Sequence, residues 1–295
     1  VGLATVADGP NSIFVSGKYA YTANPGTSDS ISIIDVSNPT LPVQLSTAGV
    51  GTDPYSIFVS GRYAYTTNYG DGTLSVVDIS NPLAPSQVAT ANVGTNPYSV
   101  YVSGKHAYVA NFGSKNISIV DISNPSAPRE IATTSVGAGP ASIFVSGRYA
   151  YVANNTSNTI SVVDISNPSV PVQVATTAVG VGPLSVSVSG RYAYTADTTD
   201  NTVSVIDISN PSAPVRVATT SVGSSPISIS VSGRYAYVSN LAGAGVSVVD
   251  ISNSTSPRQI TTVSIGGGEP RSIFVSGRYA YTANNTSDNI SVIDI

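Results

Sequence analysis

Short apolar-polar alternations run along the whole chain, and no stretch holds the three-to-four spacing of an amphipathic helix. Residues 142–146 (Ser-Ile-Phe-Val-Ser) form a compact β-rich run that ends at Gly147. Residues 148–154 (Arg-Tyr-Ala-Tyr-Val-Ala-Asn) alternate again, and the tight Ser-Gly-Arg corner between the two runs reads as a hairpin. After a variable loop, residues 159–165 (Thr-Ile-Ser-Val-Val-Asp-Ile) predict a third strand. Ser166-Asn167-Pro168 breaks it, because proline has no N–H to give to a ladder and asparagine favours turns. Residues 172–179 predict a fourth, Thr-rich strand.

This unit recurs seven times. Its glycine falls at Gly17, Gly61, Gly104, Gly147, Gly190, Gly233 and Gly277, and its aspartate at Asp35, Asp78, Asp121, Asp164, Asp207, Asp250 and Asp294. A period of this length marks a solenoid, propeller or array. Four antiparallel strands per repeat without a helix predict a β-propeller blade. The expected fold is therefore all-β: one seven-bladed propeller domain over residues 1–295, with repeats beginning near 11, 55, 98, 141, 184, 227 and 271. The last repeat stops after its third strand. Residues 1–7 align with the missing fourth strand, so they are expected to complete the last blade and remove two open ends. Donation of that strand to a neighbouring molecule is the alternative, and it would build a polymer.

Composition narrows the setting. Only 9% of the 295 residues are charged, against about 25% in ordinary soluble proteins. The surface must then be covered by Ser, Thr, Asn and Gly. A net charge of -4 disfavours nucleic acid and anionic membranes as partners. No apolar run approaches the roughly 18 residues of a membrane span. Cysteine is absent, which excludes disulfides and thiolate metal sites. Methionine is absent too, even at position 1, which is compatible with a removed targeting segment. These features together point to an extracellular or cell-surface protein.

The strings Ser-Ile-Val-Asp-Ile (Ser118 to Ile122) and, elsewhere, Ser-Val-Val-Asp-Ile resemble the LVIVD repeat. Tyr-Val-Ala-Asn (Tyr108 to Asn111) and Tyr-Thr-Ala-Asn (Tyr21 to Asn24) resemble the related YVTN propellers, known from archaeal and bacterial surface-layer proteins. The resemblance covers the chain. It implies a cell-surface or secreted propeller and supplies no catalytic residues.

Residues present in every repeat are expected to serve the blade. Arg62, Arg148, Arg191, Arg234 and Arg278, with Lys18 and Lys105, occupy the first turn and are each expected to pair with the aspartate of their own blade. Tyrosine pairs such as Tyr149 and Tyr151 are expected to pack between blades, with His106 as a packed substitute. Function is expected where blades differ, on the loops of the opposite rim. There, repeats 4 to 6 carry small or apolar residues. Repeats 7, 1, 2 and 3 carry Asn11, Asp53, Tyr55, Asn96, Tyr98, Glu269 and Arg271, with Tyr69 and Phe112 on the next loops. Aromatic faces beside amides and carboxylates suit glycan recognition; neutral drift of exposed loops is the competing explanation.

No Ser-His-Asp set or His pair is evident around the single histidine, so the chain is expected not to be an enzyme. No cofactor is expected, and an oxygen-ligated Ca²⁺ around Asp197, Asp200 and Asn201 is weighed against simple surface hydration of those side chains. Asn116, Asn154, Asn155, Asn253, Asn284, Asn285 and Asn289 open Asn-x-Ser/Thr sequons and are candidate glycosylation sites. The outer strands of repeats 3, 5 and 6 carry Arg129 with Glu130, Arg216 and Arg258, whereas those of repeats 1, 2 and 4 carry no charge. Uncharged edges invite lateral pairing. The leading expectation is a self-associating, non-enzymatic structural protein of a surface layer, filament or matrix, with self as partner. The alternative is an adhesion module that binds glycans or cell-surface proteins through the variable rim.

Overall fold

A computed structural model describes residues 2–243, 245–265 and 268–295. Among them are seven four-stranded antiparallel sheets. Each sheet is one blade, and the innermost strand of every blade lies against those of both neighbours. Blade 4 comprises Pro140–Ser146, Tyr149–Asn154, Thr159–Asp164 and Val172–Ala178, within a residue or two of the bounds expected from its alternation. Gly147 sits at φ 59° in its hairpin corner, a conformation that costs glycine nothing and places Arg148 at the turn.

Blade 7 closes on the start of the chain. Gly2–Thr5 pairs antiparallel with Asn289–Val292 as the outermost strand of the sheet that holds Pro270–Ser276, Tyr279–Asn284 and Asn289–Asp294. Val1, the first residue of the expected closing segment, lies outside the described residues. The strand is intramolecular. Its burial alternates along Gly2, Leu3, Ala4 and Thr5, so Ala4 enters the same apolar cluster as Ile34, Ile290 and Val292.

The core is a set of seams between blades. Tyr21 packs with Ile57, Val59 and Ala64 of the next blade, and Tyr65, Tyr108, Tyr151, Tyr194, Tyr237 and Tyr281 fill the equivalent seams. The other tyrosine of each pair is half-buried. His106 takes that half-buried position in blade 3, opposite Asp121.

The basic residues behave in two ways. Arg62, Arg148, Arg191 and Arg234 hold Asp78, Asp164, Asp207 and Asp250 at 2.5–2.6 Å, and Arg278 pairs with Asp294. Each guanidinium also lies over the ring of the following tyrosine, 5.1–5.5 Å from its centroid. The expected pairs of Lys18 with Asp35 and of Lys105 with Asp121 do not form. Lys18 projects over Tyr19 at 5.2 Å instead, since a compact ammonium lacks the fork that spans ring and carboxylate together. Asp35 and Asp121 still brace their turns by accepting the N–H of Ser37 and Ser123.

Asp197 departs from expectation more sharply. It is fully buried at the end of a second strand rather than hydrated on the surface. Asp200 accepts the N–H of Val181, and Asn201 accepts that of Ser225. The three side chains therefore serve separate local bonds.

Candidate functional site

A funnel opens at the axis on the variable-loop rim, holding about 150 Å³. That is below the roughly 300 Å³ at which drug-sized ligands begin, so it suits a small ligand. The local reason for its lining is a β-bulge. In blade 2, Pro54 pairs with Asn68 and Ser56 with Thr67, leaving Tyr55 as an extra residue. The same register shift follows Pro97, Pro140, Pro183, Pro226 and Pro270. A bulge re-aims side chains, and here two consecutive residues of each inner strand reach the funnel.

The bulged residues, with Asn11 just ahead of Ser12–Ser16 in blade 1, make the rim asymmetric. Asn11, Tyr55, Tyr98 and Arg271 form one half, and Ala141, Leu184 and Ile227 the other. Tyr55 and Tyr98 are in contact, with centroids 4.0 Å apart and planes tilted by 43°. Tyr69 flanks Tyr55 at 5.8 Å and Phe112 flanks Tyr98 at 5.5 Å, so four rings build a continuous wall. A shallower groove beside it is lined by Asn11, Asp53, Tyr55, Tyr69 and Asn285.

Three expected site residues, Asn96, Phe112 and Glu269, lie outside both hollows. The Asn96 carbonyl accepts the Phe112 N–H and the Glu269 carbonyl accepts the Asn285 N–H, which ties Asn96 and Glu269 to loop geometry. Asn96 and Asp53 also adopt left-handed backbone, at φ 52° and 53°. Equivalent positions are Gly9, Gly139, Gly182 and Ser225, all at positive φ. Asn and Asp are the side-chain-bearing residues that best tolerate this conformation. Their polarity is thus explained by the backbone before any ligand is invoked.

The second layer of the funnel was not singled out in the sequence. Ser12, Ser56, Ser99, Ser142, Ser185, Ser228 and Ser272 form a closed ring of hydroxyls. Each Oγ accepts a backbone N–H from the next blade, at 3.1–3.3 Å, and Ser272 completes the circle onto Ile13. An accepted bond leaves each hydroxyl proton for the funnel. The signal was a serine two residues after the loop proline, or its equivalent, in every repeat. It was unreadable without closure, since an alternating strand places polar residues at such positions in any case. Deeper still, Phe14, Phe58, Tyr101, Phe144 and Phe274 form an aromatic arc with centroids 4.6–4.9 Å apart.

Charge and protons are distributed unevenly at the top. Tyr55 donates to the Tyr98 hydroxyl at 2.5 Å. Burial pushes both phenols above their ordinary range, so both stay protonated at neutral pH. The field of the nearby Arg271 partly opposes that rise. Arg271 has no carboxylate partner among the described residues, and its Nε is buried without a hydrogen bond.

Two of the candidate glycosylation residues lie inside the fold. Asn154 and Asn284 are fully buried, and their amides donate to Ser161 and Ser291. Asn116 and Asn289 accept from the neighbouring buried amides, and Asn285 donates to the Gly9 carbonyl and to Asn11. Asn155 is half-buried. Asn253 is the exposed member, although its Oδ1 is bonded by Thr255 of its own sequon.

The architecture recurs in proteins of several activities. The chain is similar to hydrazine synthase of Kuenenia stuttgartiensis, with TM-score 0.81 and 20% identity over 97% of this chain and 96% of that one. It is similar to the periplasmic gluconolactonase of Pseudomonas aeruginosa, with TM-score 0.80 and 18% identity over 94% and 91%. A Bacteroides fragilis propeller provisionally named a 6-phosphogluconolactonase gives TM-score 0.80 and 16% identity over 97% and 87%. At such identities the likeness is one of fold. It nonetheless corrects the expectation that this chain is not an enzyme: propellers of this shape carry the names of enzymes, so neither the fold nor the missing Ser-His-Asp set excludes catalysis. No curated protein sequence matches the chain. The LVIVD repeat model matches residues 10–47, 53–93, 96–135, 139–178, 184–220, 225–264 and 267–295. With those seven matches laid over seven blades, the chain belongs to the LVIVD repeat family.

Proposed function

We propose that this propeller binds a small sugar in the axial funnel, outside the cell or at its surface. The observation that carries the reading is the pair of rings Tyr55 and Tyr98 in the funnel wall above a ring of hydroxyls, extended outward by Tyr69 and Phe112. Aromatic faces pack on the C–H surfaces of a pyranose, and hydroxyls and amides exchange hydrogen bonds with its own hydroxyls. The charge-poor surface supports the extracellular setting. Replacing Tyr55, Tyr69 and Tyr98 by Ala and screening parent and variants on a glycan array tests the reading. The parent is expected to retain a defined set of glycans that the variants lose; unchanged binding, or none in the parent, would sink it.

A second reading, lateral self-association into a surface layer or filament, rests on a separate observation. The blades with uncharged outer strands also expose apolar side chains there and in the preceding turns: Leu41 and Val43 in blade 1, Leu83 and Val88 in blade 2, Val170 and Val172 in blade 4. Edges of this kind favour strand pairing between copies. Sedimentation over a range of concentrations tests it.

A further inference from the structure

The sugar-binding reading leaves open what kind of sugar the funnel prefers, and the hydrogen-bond directions around it bear on that question. Arg271 is the one charged side chain lining the funnel among the described residues. Its guanidinium lies beside the Tyr55 hydroxyl, but its buried Nε has no hydrogen-bond partner and it forms no salt bridge with a carboxylate among the described residues. An unpaired buried donor on a cation is costly unless something supplies an acceptor.

The neighbouring groups each spend part of their acceptor capacity on the protein itself. Asn11 accepts from Asn285 at 3.1 Å through Oδ1, which turns its NH₂ outward as a donor. Tyr98 accepts from Tyr55, and its own hydroxyl proton has no acceptor among the described residues. The serine Oγ atoms each accept a backbone N–H, again leaving the O–H to give. A donor-to-donor relay from Tyr55 to Tyr98 further polarises the terminal proton. The funnel therefore offers a guanidinium and a converging set of O–H and N–H donors. A neutral sugar can exchange hydrogen bonds with the hydroxyl ring but brings no charge to the guanidinium. A carboxylate, which only accepts, matches it well.

We infer that the funnel is a receptor for a sugar acid, with one carboxylate held by Arg271 and the Tyr98 hydroxyl and the sugar hydroxyls over the serine ring. This rests on the sugar-binding reading and adds the class of ligand to it. A single guanidinium balances a single negative charge, which favours a carboxylate over a doubly charged phosphate.

Isothermal titration of the whole chain with D-glucuronate, D-glucose and inorganic phosphate tests the assignment, with Arg271→Gln and Tyr98→Ala beside the parent. Glucuronate is expected to bind at least about tenfold more tightly than glucose, the value of one charge-assisted hydrogen bond. In Arg271→Gln the preference for glucuronate over glucose is expected to disappear, the two sugars binding with equal affinity. Tyr98→Ala is expected to weaken both sugars. Thermal melting of each variant within a few degrees of the parent establishes that the fold is intact. Equal affinity for the two sugars in the parent overturns the inference and leaves the sugar reading standing, as does a preference that survives in Arg271→Gln. Tighter binding of phosphate than of glucuronate also overturns it. No binding of either sugar overturns both.

Discussion

The last residue of each second strand is Asn24, Asn68, Asn111, Asn154, Asp197, Asn240 or Asn284, and all seven are buried. In blades 2, 3, 4 and 7 the amide donates to a third-strand serine at 2.7–2.9 Å. Asp197 reverses the direction: Ser204 donates to it at 2.6 Å and Thr195 at 2.8 Å. Burial outweighs these bonds and pushes its carboxyl up to about 6. The unfolded chain titrates the same group near about 3.9. The folded state thus holds the proton more tightly, so the group's stabilising contribution is complete below about pH 4 and is lost as pH rises to about 6. The total is about 3 kcal/mol. The arginine-paired aspartates act in the opposite sense and in a lower window, because Asp78, Asp164 and Asp207 are held down to about 2. Asp197→Asn is expected to flatten stability between pH 4 and 6 and to stabilise the protein at pH 7 by up to about 3 kcal/mol. Denaturant titrations at several pH values check this; an unaltered slope in the variant would rule the assignment out.

At the scale of elements, the strand Gly2–Thr5 carries the closure of the ring on four residues, where the other outer strands have seven. Its hold depends on alternation. Ala4 is 5% exposed inside the blade 7 to blade 1 seam, and Leu3 is 48% exposed on the other face. Gly2 backs onto the Pro39 carbonyl so closely that a Cβ would stand 2.0 Å from it. Ala4→Asp should therefore lower the melting temperature markedly, since an unpaired carboxylate in an apolar seam costs several kcal/mol or unpairs the strand. Leu3→Asp should change it little. Equal melting of the two variants would place the strand outside the cooperative fold. Such elements were legible in the sequence because each blade repeats one alternation, and seven copies separate pattern from accident. The aromatic half of the funnel was legible for a related reason, since Tyr55, Tyr98 and Arg271 stand out against Ala141, Leu184 and Ile227. The serine ring was not, because its role arises from a hydrogen bond to the next blade. The buried Asp197 was missed as well: its neighbours Asp200 and Asn201 suggested a loop, and nothing local marks the last residue of a strand as enclosed.

For the whole molecule, closure removes the two sheet ends but leaves seven outer edges, and these are not equivalent. Blades 3, 5 and 6 place Arg129 with Glu130, Arg216 and Arg258 on outer strands Arg129–Ser135, Val215–Ser221 and Arg258–Ser264. Blades 1, 2 and 4 carry no charge along Val43–Gly49, Ser86–Asn92 and Val172–Ala178. Leu41 and Leu83 in the adjoining turns are each 70% exposed. Charge on an edge blocks pairing because a copy docking there would desolvate it, whereas an uncharged edge offers free N–H and C=O groups at little cost. The same asymmetry separates the two surfaces of the propeller, with the ligand funnel on the axis and the open edges on the perimeter, so assembly and binding need not compete. Placing one lysine on each of the three seven-residue open edges, by Val43→Lys, Gln87→Lys and Val172→Lys together, should convert an associating parent into a monomer and leave the funnel's affinity for its sugar unchanged. Sedimentation velocity across a hundredfold range of concentration reads the first effect and titration calorimetry the second. A parent that sediments as a concentration-independent monomer removes the case for lateral assembly, and an associating triple variant moves the contact to another surface.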